Sequence, residues 1–171
     1  LFRQYKFGNV PEPRVHMLLA PESAPGCAYS YHGVTMRASS IEQAPCVKVL
    51  ADKCTAKFGK DWNVGVDVVA YRDGYDSCGW HADDTQGETL IVAVILQSGG
   101  GPRRVQFRPK TPDAKYDDSN GITRRSKDHV GERPLSEGDE EIELWIEEGD
   151  CYTMDRGVQI GYEHQVPKVP S

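Results

Sequence analysis

The chain has 171 residues, of which 38% are hydrophobic and 27% charged, with a formal net charge of −6. That length suits one domain, residues 1–171, able to bury roughly 70% of its unfolded surface; it contains no apolar run of about 18 residues and no basic-then-apolar leader, which argues against a membrane span or a secretory signal. Acidity withholds the basic footprint of most nucleic-acid binders, and five cysteines without a C-x-x-C pair argue against a disulfide framework or zinc cluster, so a soluble monomer of a reducing nuclear or cytoplasmic compartment is expected.

In chain order, Leu1 to Phe7 leads through Gly8, Pro11 and Pro13 into an apolar run, Arg14 to Ala20, that reads as a short strand closed by the Pro21–Gly26 turn. Ala28 to Gly33 alternates, which places Tyr29 and Tyr31 on one face of an extended segment. Such a pair either packs half-buried or forms a platform on which a flat base can stack. Ser39 and Ser40 stand at capping-box spacing from Glu42 and Gln43, so a helix is expected to start there, with Pro45 in its first turn and Gly59 as its stop. Val47, Leu50, Ala51, Cys54 and Phe58 recur at helical spacing, and Cys46 and Cys54 are expected as small core residues.

From Asn63 the pattern turns to β. Val64 to Tyr71 is rich in β-branched residues, and Arg72-Asp-Gly-Tyr-Asp supplies a turn. Thr89 to Leu96, the most apolar run, reads as a central strand buried on both faces, with Arg104 to Arg108 as its partner. Residues 110–138, rich in Asp, Ser, Lys, Arg and Gly, read as a long surface insertion. Charges are segregated: Arg103, Arg104, Arg108 and Lys110 form one basic cluster, Arg124, Arg125 and Lys127 another, and Glu137 to Asp150 is acidic. Ile142 to Ile146 and Cys151 to Asp155 read as strands around an acidic turn, and Gln159 to Val166 follows with His164 inside it. One helix followed by many short strands points to an α+β chain that is mostly β, a sandwich or double-stranded β-helix (jelly roll) with a supporting helix.

The chemistry concentrates at Tyr71-Arg-Asp-Gly-Tyr-Asp-Ser-Cys-Gly-Trp-His81-Ala-Asp83-Asp84. Side chains at i and i+2 of an extended segment point the same way, so His81 and Asp83 can reach one metal ion. A third ligand is then expected from a distant residue on a neighbouring strand, with His164 as the candidate. Two histidines and one carboxylate form the facial triad of non-haem Fe(II) oxygenases. Taken singly, a His-x-Asp is as compatible with a surface turn, and His164 with a packed histidine.

The stretch from Asn63 through Tyr71 and Asp73-Gly74 to His81-Ala-Asp83-Asp84 resembles the core motif of the AlkB family of Fe(II)/2-oxoglutarate dioxygenases. Pro13-Arg14 and Tyr29-Ser-Tyr31-His-Gly33-Val-Thr are similar to the substrate lid of its nucleic-acid repair members, here about residues 9–38. Gly149 to Met154 with Gln159, Tyr162, His164 and Val166-Pro167 resembles the segment that carries its distal histidine.

The resemblance implies a jelly-roll dioxygenase with Fe(II) held by His81, Asp83 and His164, and with 2-oxoglutarate and O2 as cosubstrates. It implies oxidation of an N-alkyl carbon on alkylated DNA or RNA, the product collapsing to an aldehyde and the repaired base. Tyr29 and Tyr31 would contact the base and Tyr71 would hydrogen-bond the cosubstrate, while Asp84 would either orient neighbouring groups or stand as an exposed acid beside a ligand. Two departures stand out. The family's cosubstrate asparagine is here Val69, and its carboxylate-clamping arginine lies on a strand past the distal histidine, so the sequence is expected to be clipped at both ends and that arginine to fall beyond Ser171. Three readings remain open at this point: nucleobase dealkylation, the same chemistry on a protein or small molecule, and an inactive binding module that keeps the fold.

Overall fold

In the computed structural model, residues 2–24, 26–31, 34–59, 65–83, 90–96, 101–110 and 140–169 are described. They group into two compact units, Leu1–Arg72 and Asp73–Ser171. The insertion expected at 110–138 lies outside the described residues except for Lys110, as do Asp84, His32, His129 and the side chain of Tyr31.

The first unit opens with two short paired strands, β1 (Lys6–Phe7) and β2 (Val10–Pro11), followed by β3 (Val15–Ala20). Strand β4 (Ala28–Tyr31) turns back on β5 (Val34–Arg37), a hairpin that the alternation of residues 28–33 only half announces. Then come β6 (Ser39–Ser40), α1 (Pro45–Phe58) and β7 (Val66–Ala70), with strand order β6-β3-β7. Alternation along β3 sends Met17 and Leu19 to one face, where Ile41 and Ala51 complete the core with Val47, Val66 and Val68 around them. Leu19 is fully buried; truncating such a side chain to alanine costs about 2–5 kcal/mol.

The α1 helix starts later than the serines suggest. Ser40 Oγ accepts from the Glu42 amide, 3.3 Å, but it caps a short 3-10 turn, Ile41–Gln43. Ala44 precedes a proline, a position that disfavours the α region, and its φ of −134° separates that turn from the helix, which begins at Pro45. Gly59 stops α1 as expected, its φ of 62° in the left-handed region. Cys46 is exposed and not a core residue, because the helix presents Ala51 and Val47 inward instead; Cys54 is half-buried.

The second unit contains β8 (Cys78–His81), β9 (Ile91–Val94), β10 (Arg103–Pro109), β11 (Ile142–Ile146), β12 (Cys151–Met154), α2 (Arg156–Gly161) and β13 (Tyr162–Val166). One antiparallel sheet runs in the order β11-β10-β13-β8 and a second pairs β12 with β9. The central role expected for residues 89–96 belongs to β10 instead. Among the described residues β9 pairs with β12 alone, all four of its side chains are half-buried, and Leu96 beyond it is 50% exposed. An apolar run marks burial without naming a partner, and β10 pairs with β11 and β13 rather than with β9. Val105 and Phe107 of β10 form the core with Met154, packed by Ile91, Leu144, Ile146, Tyr152 and Val166.

The short helix α2 also lay outside the expected pattern. Asp155 caps it, its Oδ1 accepting from the Val158 amide at 2.9 Å, which satisfies an amide that the helix start leaves unpaired. The described part of the chain is therefore mostly β with two α-helices, and no described helix is long and apolar enough to cross a membrane.

Candidate metal centre

The loop that leads into the site is built by its own sequence. Asp73 Oδ1 accepts from the amides of Tyr75, 2.8 Å, and Asp76, 3.0 Å, the local side-chain bonding that makes aspartate a turn former. Gly74 is required there: a Cβ would sit 2.6 Å from the main-chain oxygen of Val169, whose own amide donates to Gly74 O at 2.8 Å. Arg103 then ties the loop to the end of β13, donating to the carbonyls of Asp73, Asp76 and Pro167 at 2.9, 2.6 and 3.2 Å.

This frame delivers His81 at the end of β8, directly opposite His164 on β13. Their ring centroids are 4.2 Å apart. Asp83 lies two residues past the strand, with Oδ1 3.7 Å from His81 Nε2 and Oδ2 3.6 Å from His164 Nε2. One ligand atom from each of the three residues falls within 4.8 Å of the other two. The extended segment that was to carry both His81 and Asp83 ends at His81. Asp83 is held instead by Gln159 of α2, whose Oε1 accepts from the Asp83 amide at 2.9 Å and whose Nε2 donates to Oδ2 at 3.2 Å.

The donor set fits a divalent iron. His81 Nδ1 lies 2.8 Å from the Gly79 carbonyl, so that nitrogen carries a proton and Nε2 is the nitrogen left to face Asp83 and serve as a metal donor. Burial pushes the His164 imidazolium down to about 4, and the neighbouring His81 adds to the effect, so His164 is neutral and offers a lone pair at neutral pH. Burial also acts against a charged His81, but the Cys78 sulfur, 3.5 Å from Nδ1, and the Asp83 carboxylate outweigh it and raise the ring to about 9. Tyr152 is pushed up to about 12 by burial, with the negative charge of Asp83 adding to it, and stays a neutral phenol. Lys110 is lowered by burial, which the Glu163 and Asp83 carboxylates oppose. Phe107, opposite His164 on β10, closes one side of the pair at 5.8 Å between centroids.

The whole chain, residues 1–171, matches the family model of the 2OG-Fe(II) oxygenase superfamily. The chain belongs to this superfamily. No curated protein matches it. It is accordingly an Fe(II)- and 2-oxoglutarate-dependent dioxygenase that uses O2, and a two-histidine, one-carboxylate cluster is the donor set such an enzyme needs. Of the residues singled out in the sequence, His81, Asp83 and His164 come together. Tyr29, 38% exposed on β4, the main chain of Tyr31, and the half-buried Tyr71 after β7 belong to the first unit, and their roles rest on the resemblance. Gln159 was named only within the segment resembling that of the distal histidine and Lys110 only within a basic cluster, and neither was given a role at the site. A buried amide between Val158 and Ile160 was the available signal, but it names no partner.

Proposed function

We propose that His81, Asp83 and His164 hold the Fe(II), and that this oxygenase removes N-alkyl groups from damaged nucleobases of DNA or RNA, as an AlkB-like enzyme on a jelly-roll core. The observation that carries the metal assignment is the convergence of the three side chains from two paired strands and the segment after β8. The nucleobase reading is supported by the ordered blocks that resemble the repair members of that family, from Tyr29-Ser-Tyr31 through His81-Ala-Asp83-Asp84 to His164.

When bound, the iron with 2-oxoglutarate and O2 supplies an oxidant able to hydroxylate an unactivated C–H bond, with succinate and carbon dioxide as coproducts. The chain's own residues prepare for it. His164 presents a lone pair because burial keeps it neutral. His81 keeps its Nδ1 proton on the Gly79 carbonyl and so turns Nε2 toward Asp83. Phe107 shields the imidazole of His164. The substrate base must leave its stack, because an alkyl group on a pairing edge is otherwise out of reach. Tyr29 and Tyr31 are the aromatic faces assigned to receive it, and Tyr71 the hydrogen-bond donor to the cosubstrate. Hydroxylation of the N-alkyl carbon gives a hemiaminal, which releases an aldehyde and returns the nitrogen to its unmodified state.

The test is an oligonucleotide carrying 1-methyladenine or 3-methylcytosine, incubated with the protein, Fe(II), 2-oxoglutarate and O2 and read by mass spectrometry. Loss of the methyl group only when all three are present is expected. Succinate formation without methyl loss would redirect the reading to a protein or small-molecule substrate, to which the net charge of −6 is better suited.

A further inference from the structure

Asp83 owes its position to a residue 76 positions away. Gln159 is 5% exposed, and a buried amide is costly unless both its ends are bonded. Both ends reach Asp83: Oε1 accepts from its main-chain amide, 2.9 Å, and Nε2 donates to carboxylate Oδ2, 3.2 Å, and also to Met154 Sδ, 3.8 Å. The orientation of the amide is set by this pattern, since the flipped group would put two donors face to face and two acceptors face to face. Gln159 is itself anchored. Lys110, at the end of β10, donates from Nζ to the Gln159 carbonyl, 2.5 Å, and from its main-chain amide to Gly161 O, 2.9 Å, which joins two carbonyls at the C-terminal end of α2 to the sheet.

We propose that Gln159 is a positioning residue for the iron-ligating carboxylate: by holding the amide and Oδ2 of Asp83 together it stops rotation of the carboxylate and keeps Oδ1 turned toward His81, with Lys110 setting the place of Gln159. This rests on the reading of Asp83 as an iron ligand. It also explains how a ligand beyond the end of β8 keeps a fixed geometry without a strand to hold it. Partners of this kind, which touch a ligand and not the ion, are worth about 10- to 100-fold in metal affinity.

The experiment uses Co(II) as probe on the metal-free protein, with the dissociation constant and the visible ligand-field bands as readouts. Q159M keeps the length of the side chain without donor or acceptor. It is expected to weaken Co(II) binding by about 10- to 100-fold and to alter the bands, while circular dichroism and the thermal midpoint stay near the parent's. K110M is expected to lose less, and the double variant to bind no worse than Q159M, because both act through one contact. Parent-like affinity and bands in Q159M would overturn the proposal, and full additivity of the two losses would overturn the part given to Lys110. Should Q159M not fold, Q159N, whose amide is one methylene short of Asp83, decides on the same readouts. D83A separates the two layers: loss of Co(II) binding there supports the ligand reading whatever Q159M does, and parent-like binding would overturn that reading and this proposal together.

Discussion

His81 and His164 are direct partners across the β8–β13 ladder, with ring centroids 4.2 Å apart, so the two imidazoles of the candidate centre are set by strand register and not by loop conformation. H81A and H164A are therefore each expected to lose metal affinity by more than about 100-fold, beyond the range of a residue that only supports a ligand. The sheet should survive, more fully in H81A than in H164A, whose ring is buried against Phe107 of the Val105–Phe107–Met154 core. Calorimetric titration with Fe(II) under anaerobic conditions, alongside circular dichroism, checks both halves.

Metal uptake should release a proton. With His81 raised to about 9, that ring carries a second proton in the metal-free centre at pH 7, whereas His164, lowered to about 4, is neutral. The ion must displace the His81 proton, so the apparent affinity rises by about tenfold per pH unit between roughly pH 6 and 9 and levels off above. Titrations in buffers of different ionisation enthalpy will give close to one proton released per ion at pH 7; none released would show that the His81 ring is already neutral in the metal-free protein.

The first unit has its own ionic cluster around His16. Its Nδ1 lies 2.9 Å from Asp67 Oδ2 and its Nε2 3.2 Å from the fully buried Glu12, which also pairs with Arg14 at 2.5 Å. Burial disfavours the charged ring, but the two carboxylates prevail and raise it to about 9. Arg14 Nε, 2.9 Å from the same Nε2, donates only to the neutral ring and so opposes the cation. Because the folded value lies above the unfolded one, the stabilisation is complete below about pH 6.5 and is lost as pH rises through about 9; it amounts to at most about 3 kcal/mol. Urea melts between pH 6 and 10 should show this loss in the parent and not in H16N.

G74A tests the loop before β8. The added Cβ would lie 2.6 Å from a main-chain oxygen of Val169, which no side-chain rotation can relieve. A destabilisation of about 1–3 kcal/mol is expected, with weaker metal binding as β8 shifts. Denaturant unfolding measures the first and Co(II) titration the second.

Much of this protein was legible in its sequence because the relevant physics is local. An apolar run marks Arg14 to Ala20 and alternation marks Arg104 to Arg108 and Ile142 to Ile146 as strands, Gly59 stops α1, and Asp73-Gly74 makes the turn that its hydrogen bonds then show. The chemistry of His81 and Asp83 was readable for the same reason, as two residue types close together in a chain. What only the tertiary structure decided is how that chemistry is assembled. Strand pairing joins Phe107 to His164 across the residues of the insertion, and no local pattern records which strands will share a ladder. Asp83 reaches the two histidines by the hold of Gln159 rather than by the strand alternation that first suggested it. A buried polar side chain takes its partner from whatever the fold brings within hydrogen-bonding distance, and that distance exists only once the chain has folded.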